Sequence, residues 1–243
     1  MIEFNNNIHI QQGDSRDLIK QVADQSVDLI LTDPPYNLAN YSTGNIKMKW
    51  RTDINNDLAE WDKFEFKPEE WLSEFKRILK PDGNIFAFTS YNLLGKWHEV
   101  FDPHFDTFQF MVWHKTNPVP KIFKAGFLNS CELIVCVWNK GHKWNFISQK
   151  EMHNYIESPI CQGNERLTNP KHPTQKPLKV LKHIIKIASN ENDVIFDPFM
   201  GVGSSGVAAL EYKRKFIGFE LEKNYFEAAK NRIENTNNKF QLF

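Results

Sequence analysis

The sequence has no apolar run that is long enough to cross a membrane. A transmembrane helix needs about 20 predominantly apolar residues in succession, and no stretch of the 243 residues approaches that length. Residues 1–7 are polar and lack the pattern of a secretory signal peptide. These two absences lead us to expect a cytoplasmic protein that has no membrane partner.

Cysteine is also scarce. The three cysteines, Cys131, Cys136 and Cys161, form no CxxC pair. A disulfide framework and a structural zinc site both need such clustering. We therefore expect free thiols and no metal site.

The chain has no excess charge of either sign, because 30 basic residues balance 30 acidic ones. Neutrality does not indicate nucleic-acid binding, although a local basic face would suffice for it. Basic side chains gather in three short groups, each of which is on its own more typical of solvated surface. The groups are Lys47, Lys49 and Arg51; Lys115, Lys121 and Lys124; and Lys140, His142 and Lys143.

Short β-rich segments alternate with helical ones over residues 1–243, which predicts a single domain with a doubly wound, mostly parallel sheet. Strands are predicted at 8–10, 27–31, 84–90, 105–115, 131–139, 193–197 and 215–220, and helices at 68–79, at 177–189 and from near Asn224. Two long segments, 37–62 and 140–171, lack periodicity. A loop as long as 37–62 is uncommon unless it is a lid, a binding loop or disordered, and we predict a mobile loop.

A glycine-rich turn follows the strand at 193–197 and opens a helix. Its glycines, Gly201, Gly203 and Gly206, form the GxGxxG pattern of nucleotide-binding turns. Glu220 ends the next strand, where such folds place the acid that binds a ribose. A carboxylate at Asp197 repels phosphate but suits a cationic methionine group, which favours S-adenosylmethionine over a dinucleotide. A plain strand–turn–helix is the lesser alternative, given the spacing to Glu220.

The position of this turn in the chain is unusual. A Rossmann-type sheet normally begins with its cofactor turn, but here only one strand follows it. The remaining strands must come from the N-terminal half. We therefore predict a circularly permuted, Rossmann-like sheet of seven strands with an antiparallel hairpin at one edge.

A second motif follows the buried strand at 27–31 and consists of Asp33, Pro34, Pro35 and Tyr36. The prolines fix the backbone and leave carbonyl acceptors facing outward. Asp33 and the Pro34 carbonyl could accept hydrogen bonds from an exocyclic amine, a poor nucleophile, and stabilise its developing positive charge. Tyr36 could stack on a flipped-out base, which contributes about 1–3 kcal/mol. Alone, the tetrapeptide is as readily a turn as a site; together with the cofactor turn it indicates a catalytic centre.

Three motifs occur in a fixed order: Asp33 to Tyr36, His172-Pro173-Thr174-Gln175-Lys176-Pro177, and Asp197 to Gly203. In this order they resemble the beta-class amino-DNA methyltransferases of bacterial restriction-modification systems and their phage relatives. The chain is most similar to the small adenine-N6 members without a separate recognition domain, over nearly its whole length. The resemblance implies methyl transfer from S-adenosylmethionine to N6 of adenine in a short duplex DNA sequence.

The resemblance also implies residue roles. Phe199, Gly201 and Gly203 would wrap the cofactor, Glu220 would hold its ribose, Asp14 its adenine, and Thr174 and Lys176 its methionine end. Asp197, Pro198 and Ser204 complete the predicted cofactor set. Ser204-Ser205 replaces the two threonines usual in the family and keeps the hydroxyls. From the residues alone, Asp14 could be only a helix cap, and Lys176 a solvated lysine.

The target and the partners follow from the same resemblance. Family members that act on cytosine N4 more often have serine at the Asp33 position, so adenine N6 is favoured. Cytosine C5 is disfavoured because no cysteine lies near either motif. Residues 140–171 are the predicted target-recognition region, and Trp113 either lines the base pocket or packs in the core. Expected partners are double-stranded DNA, a cognate restriction endonuclease and a second copy of the chain; an RNA or protein-amide methyltransferase and a non-catalytic binding module remain alternatives.

Overall fold

The computed structural model describes residues 2–4, 7–36, 66–120 and 126–241. The predicted loop at 37–62 lies outside these residues. The strands are β1 Ile2–Phe4, β2 Ile8–Gln12, β3 Val27–Thr32, β4 Leu79–Thr89, β5 Thr107–Lys115, β6 Cys131–Trp138, β7 Tyr155–Ser158, β8 Val194–Asp197 and β9 Lys215–Glu220. The helices are α1 Ser15–Leu18, α2 Leu72–Ile78, α3 Tyr91–Phe101, α4 Leu178–Ala188, α5 Ser204–Glu211 and α6 Lys223–Gln241.

All described strands form one sheet in the order β1-β2-β9-β8-β3-β4-β6-β5-β7. Five neighbouring pairs are parallel, and three are antiparallel: β1 with β2, β4 with β6, and β5 with β6. The late strands β8 and β9 lie between β2 and β3, which confirms the permuted, Rossmann-like α/β fold. The predicted number of seven strands is too low, because the short strands β1 and β7 add one at each edge.

The core forms two layers, one on each face of the sheet. Side chains alternate along a strand, so Leu29 and Leu31 pack on one face with α4, α5 and α6, whereas Ile30 packs on the other with α2 and α3. Strand β3 is buried along its whole length. Coverage of both faces is what a parallel sheet requires.

Helix α2 ends and strand β4 begins earlier in the chain than the sequence predicts. A turn of 3₁₀ helix at Pro68–Glu70 precedes α2, and β4 already begins at Leu79. The Pro81-Asp82-Gly83 segment, which lies between the predicted helix at 68–79 and the predicted strand at 84–90, is therefore part of the strand. It is accommodated by an irregular register between β3 and β4, which shifts between Val27 and Leu29.

Part of the predicted recognition region, residues 142–145, packs at the amino-terminal edge of the sheet. Lys143 Nζ lies 2.5 Å from Asp28 and 2.9 Å from Asp193, and Lys80 Nζ lies 2.8 Å from Asp28. Burial alone would raise the pKa of Asp28, but the hydrogen bonds from Lys143 and Lys80 hold it below its usual value. These residues therefore stabilise the fold at the edge opposite the tetrapeptide.

Among the residues described, no helix combines the length and the apolar character needed to span a membrane.

Candidate active site

The predicted catalytic tetrapeptide and the glycine-rich turn lie at the same edge of the sheet. Strands β3 and β8 are parallel neighbours, with Ile30 beside Phe196. Their carboxyl ends consequently place Asp33 and Asp197 side by side, as open α/β sheets place ligand-binding residues. The Thr32 hydroxyl donates a hydrogen bond of 3.0 Å to Asp197 Oδ1 and ties the two motifs together.

Asp33 is held by two donors. Lys176 Nζ lies 2.5 Å from Asp33 Oδ2, and the Tyr36 hydroxyl donates to Asp33 Oδ1 at 2.7 Å. Lys176 comes from the loop before α4, and its side chain is only 5% exposed. The structure therefore places Lys176 beside the predicted catalytic carboxylate as well as along the cofactor cleft.

A second partly buried carboxylate, Glu132 on β6, faces the same donors. Its Oε2 lies 3.1 Å from the Tyr36 hydroxyl and 3.4 Å from Lys176 Nζ, and its Oε1 lies 2.8 Å from Lys115 Nζ. Lys115, one of the basic side chains noted in the sequence, is thus used inside the fold. Two carboxylates and two ammonium groups form one network around the Tyr36 hydroxyl.

The pKa values of the charged groups in this network are not all shifted in the same direction. Burial would lower the pKa of Lys176, but Asp33 and Glu132 raise it above its usual value, so Lys176 is a cation. Burial raises the pKa of Glu132 less than Lys176 and Lys115 lower it. Burial raises the pKa of Asp33 more than Lys176 lowers it. Glu132 therefore keeps its negative charge more firmly than Asp33 does.

Tyr36 is a donor in this network. Burial, together with the nearby charges of Asp33 and Glu132, raises its pKa well above the usual value for a tyrosine. The ring lies under the Lys176 ammonium, with 5.1 Å between Nζ and the ring centroid. The sequence predicts that Tyr36 stacks on a base; the structure adds a hydrogen-bonding role for its hydroxyl.

The glycine-rich turn is organised around Asp197. This buried carboxylate accepts from the Phe199 amide at 3.0 Å and from the Ser205 hydroxyl at 2.5 Å, besides Thr32. Burial raises the pKa of Asp197 to about 6. The turn needs glycine at Gly201 for a φ of +52° and close approach to His172: a Cβ there would lie 3.1 Å from His172 Nε2.

Helix α6 supports the turn from behind. Arg232 Nη1 donates to the Val202 carbonyl at 2.6 Å and to the Ser204 hydroxyl at 3.2 Å. Gly203 has a φ of +77°, and a Cβ there would lie 3.0 Å from the Ala229 Cβ. Gly203 is therefore required for packing against α6. Arg232 was not predicted from the sequence, although its position three residues after Ala229 places it on the inner face of an amphipathic helix.

A cleft runs along this edge of the sheet and brings the predicted residues together. From the predicted cofactor set it is lined by Asp14, Thr174, Lys176, Asp197, Pro198, Phe199, Gly201, Ser204 and Glu220, and from the tetrapeptide by Asp33 and Pro35. Gly203, Pro34 and Tyr36 are not among the described residues that line it. Aromatic side chains close one side, where the Trp71 and Phe199 ring centroids lie 4.9 Å apart.

Two carboxylates line the far end of the cleft: Asp14, which follows β2, and Glu220, which ends β9. The Gly13 amide donates to the Glu220 carbonyl at 2.9 Å and joins the ends of these strands. Burial raises the pKa of Glu220 to about 7, and its Oε1 accepts from the Glu222 amide at 2.7 Å. Asp14 accepts a hydrogen bond from the Arg16 amide at 2.9 Å and therefore caps helix α1. It also lines the cleft.

The polar and aromatic residues that line the cleft fit S-adenosylmethionine. Acceptors at Asp14 and Glu220 suit amine and ribose hydroxyl donors, and the Asp197 carboxylate at the turn favours a positive charge over a phosphate. Aromatic rings at Trp71 and Phe199 offer an apolar wall for a flat base. When bound, the cofactor supplies a methyl group on a positively charged sulfur.

Trp113 packs in the core. It is 2% exposed, and its indole Nε1 donates to the Ser158 carbonyl at 3.1 Å, which joins β5 to β7. Of the two interpretations that the sequence allows for Trp113, the structure shows the packing role.

Residues 27–231 match the family described as DNA methylase, and the chain belongs to this N6/N4 DNA methyltransferase family. It is an S-adenosylmethionine-dependent DNA methyltransferase.

Individual relatives agree with this assignment. The chain is 32% identical to the type II methyltransferase M2.LlaDCHI of Lactococcus lactis subsp. cremoris over 93% of this chain and 89% of that protein. It is 32% identical to the type II methyltransferase M.HinfI of Haemophilus influenzae over 92% of this chain and 67% of that protein. The crystal structure of the M1.HpyAVI–SAM complex is 31% identical, with a TM-score of 0.68 over 93% of this chain and 99% of that one.

Proposed function

We propose that the protein methylates N6 of adenine in a short duplex DNA sequence and that the base leaves the helix to reach Asp33. The observation that carries this proposal is the hydrogen bond from Thr32 to Asp197, which ties the end of the strand that precedes Asp33 to the glycine-rich turn. A base inside a duplex cannot reach a carboxylate held at the edge of a sheet, so it must be flipped out.

The chain prepares the amine for attack. The lone pair of an exocyclic amine is delocalised into its ring, so the amine is a poor nucleophile. Asp33 and the Pro34 carbonyl accept its two hydrogens, favour a pyramidal nitrogen and stabilise the positive charge that develops there. Pro34 is buried directly after β3, so its carbonyl is held rigidly. Asp33 acts in this scheme as an acceptor that orients the amine.

Adenine is proposed over cytosine because of Asp33 itself. Among the amino-DNA methyltransferases that the chain resembles, those that act on cytosine N4 more often have serine at this position, whereas this chain has Asp33. The test is transfer of labelled methyl groups to duplex DNA, followed by digestion and separation of the nucleosides. We expect N6-methyladenine. N4-methylcytosine would overturn the base assignment, and label in RNA but not in DNA would overturn the substrate.

We also propose that residues 159–171, the second half of the predicted recognition region, read the target sequence. Ser158 pairs with Lys115 at the carboxyl end of β5, so the chain leaves β7 on the catalytic side. The segment is then held against the loop before α4, because Gln175 Nε2 donates to the Glu165 carbonyl at 2.7 Å. Exchange of 159–171 with the corresponding segment of a relative should change the methylated sequence and leave methylation of adenine intact.

The partners remain part of the proposal. A type II relative suggests a cognate restriction endonuclease, and DNA modified by this protein should resist that nuclease. A homodimer and a cytoplasmic location are likewise predictions. Sedimentation at several protein concentrations, with and without duplex DNA, tests the dimer.

A further inference from the structure

Both oxygens of the catalytic carboxylate are occupied by donors of the protein itself. Lys176 lies 2.5 Å from Asp33 Oδ2, and the Tyr36 hydroxyl lies 2.7 Å from Oδ1. Each oxygen can accept a further hydrogen bond, but the Lys176 ammonium neutralises the charge that a target amine would meet at Asp33. A charge-assisted pair as short as that with Lys176 is strong, so its release needs a second acceptor nearby.

Glu132 is such an acceptor. Its Oε2 lies 3.1 Å from the Tyr36 hydroxyl and 3.4 Å from Lys176 Nζ, so it faces the same two donors that hold Asp33. The Tyr36 hydroxyl has one proton and can donate to only one of the two carboxylates at a time. A shift of the Lys176 ammonium by under about 1 Å would bring it to an ordinary ion-pair distance from Glu132.

The charges allow this exchange. A buried carboxylate must be paired to remain ionised, and Lys115 holds Glu132 Oε1 at 2.8 Å from the far side. Glu132 can therefore accept Lys176 without first losing its own partner. Once Lys176 has moved, the negative charge of Asp33 faces the amine, and the positive charge that develops there during transfer balances it.

We propose that Glu132 is a positioning residue that takes over Lys176, and with it the Tyr36 hydroxyl, when the target amine binds Asp33. This inference rests on the proposed function. The competing explanation is that the Lys115–Glu132 pair only joins β5 to β6.

The first test is Glu132→Gln, which keeps the shape and removes the charge. We expect kcat to fall about ten- to a hundredfold, since misplacement by about 1 Å can cost about a hundredfold. Cofactor affinity, measured by calorimetry, should stay within about twofold. Glu211→Gln is the matched control because Glu211 also pairs with a lysine, Lys182, in a partly buried contact between helices. Its kcat should match that of the wild type.

The pH profile tests whether the charge of Glu132 acts on Asp33. Asp33 is faced by Lys176, Glu132, Tyr36 and Asp197, and Glu132 in turn by Lys115. Removal of the Glu132 charge lowers the pKa of Asp33 and should move the acidic limb of kcat down by on the order of 1 pH unit. Lys115→Gln leaves Glu132 with an unbalanced charge and should move the limb up. A limb that stays unmoved in both variants would show that Glu132 does not act on Asp33 and would overturn the inference.

A double-variant cycle provides the last test. If Glu132 acts through Lys176, Glu132→Gln should cost little in a Lys176→Gln background, so the two losses should not add. Additive losses, or a Glu132→Gln enzyme with wild-type kcat, would overturn the inference. If Glu132→Gln does not fold, Lys115→Gln still tests the inference, and an unmoved acidic limb in that variant would overturn it. Failure of the wild type to methylate any DNA would instead refute the proposed function.

Discussion

Asp33 combines a fixed backbone, a nearly closed environment and a position at the end of β3, and the proposed chemistry depends on it. We expect Asp33→Ala to reduce methyl transfer by about a hundred- to a thousandfold, the usual cost of losing a group that stabilises transition-state charge. Cofactor affinity should change by less than about threefold, because Asp197 and Glu220 remain in place. Labelled methyl transfer and calorimetry measure the two effects.

Asp102→Ala is the control for this variant. Asp102 is an exposed carboxylate in the 3₁₀ turn that follows α3, away from the cleft lining. It should behave as the wild type in both measurements. An Asp33→Ala enzyme that retains transfer would exclude the mechanism, and one that loses cofactor binding would place Asp33 in the cofactor site.

We expect Glu220 to make cofactor binding sensitive to pH. The predicted contact with the ribose hydroxyls is strongest when the carboxylate is ionised, and burial raises its pKa to about 7. As pH falls below about 7 the carboxyl gains a proton, so affinity should fall, by at most about tenfold per pH unit. Glu220→Gln should remove this step and bind weakly at pH 8. A second, lower step from Asp197, with a pKa of about 6, should remain.

Calorimetric titrations from pH 5.5 to 8.5 test this dependence. Glu227→Gln, an exposed glutamate of α6, is the control and should keep the wild-type profile. A profile that is flat in the wild type, or one that is unchanged in Glu220→Gln, would assign the ribose to another residue.

At the residue scale, local motifs could be predicted, whereas contacts across the sheet could not. Asp33 and Asp197 each follow a recognisable strand, and strand order brings them together. Glu132 lies 96 positions from Tyr36, and the sequence around it reads as an ordinary apolar strand. Its role depends on β6 lying next to β4, which no local pattern specifies. Lys176 was found only through the resemblance.

Helices α5 and α6 meet at Gly203, and their contact sets the shape of the cofactor turn. An added Cβ at Gly203 would approach Ala229 to 3.0 Å in a backbone conformation with a φ of +77°. We expect Gly203→Ala to destabilise the protein by about 1–3 kcal/mol, from backbone strain and crowding. Denaturant unfolding measures this change.

Gly95 in α3 provides the opposite case. A Cβ there meets nothing within 4 Å, and the residue is helical and exposed. Gly95→Ala should stabilise the protein by about 0.5–1 kcal/mol. Equal effects of the two substitutions would show that the Gly203 contact is not a constraint.

At the element scale, the central strands could be predicted because their apolar runs are long and are bounded by turns. Helix α3 was not predicted, although Leu93, Trp97 and Phe101 follow each other at helical spacing and are buried. The glycine within it, Gly95, weakened the pattern. Strand β7 has only four residues and forms by pairing with β5. Such a strand is specified by a distant partner, so its own sequence carries little signal.

In the whole molecule, the residues of the proposed active site and a cluster of stabilising ion pairs lie at opposite edges of the sheet. The carboxyl ends of β3 and β8 hold Asp33 and Asp197, whereas the amino-terminal edge holds the cluster of Asp28, Lys143 and Asp193. A parallel sheet produces this division because all its carboxyl ends meet at one edge. The segment 140–171 runs from one edge to the other, so its two halves should respond differently to substitution.

Lys143→Met tests this division. Asp28 is fully buried, and loss of Lys143 leaves it with Lys80 as its remaining lysine partner. Breaking a buried pair costs about 3–5 kcal/mol; because Lys80 compensates in part, we expect a loss of about 2 kcal/mol in the free energy of unfolding. The pKa of Asp28 lies below its usual value, so this contribution is present at neutral pH and is lost only in strong acid.

Lys186→Met is the control. It removes a half-exposed pair with Glu151 and should cost less than about 0.5 kcal/mol. Both variants should keep wild-type kcat and target sequence at 25 °C, and a Lys143→Met enzyme of normal stability with an altered target sequence would instead place recognition in the first half of the segment.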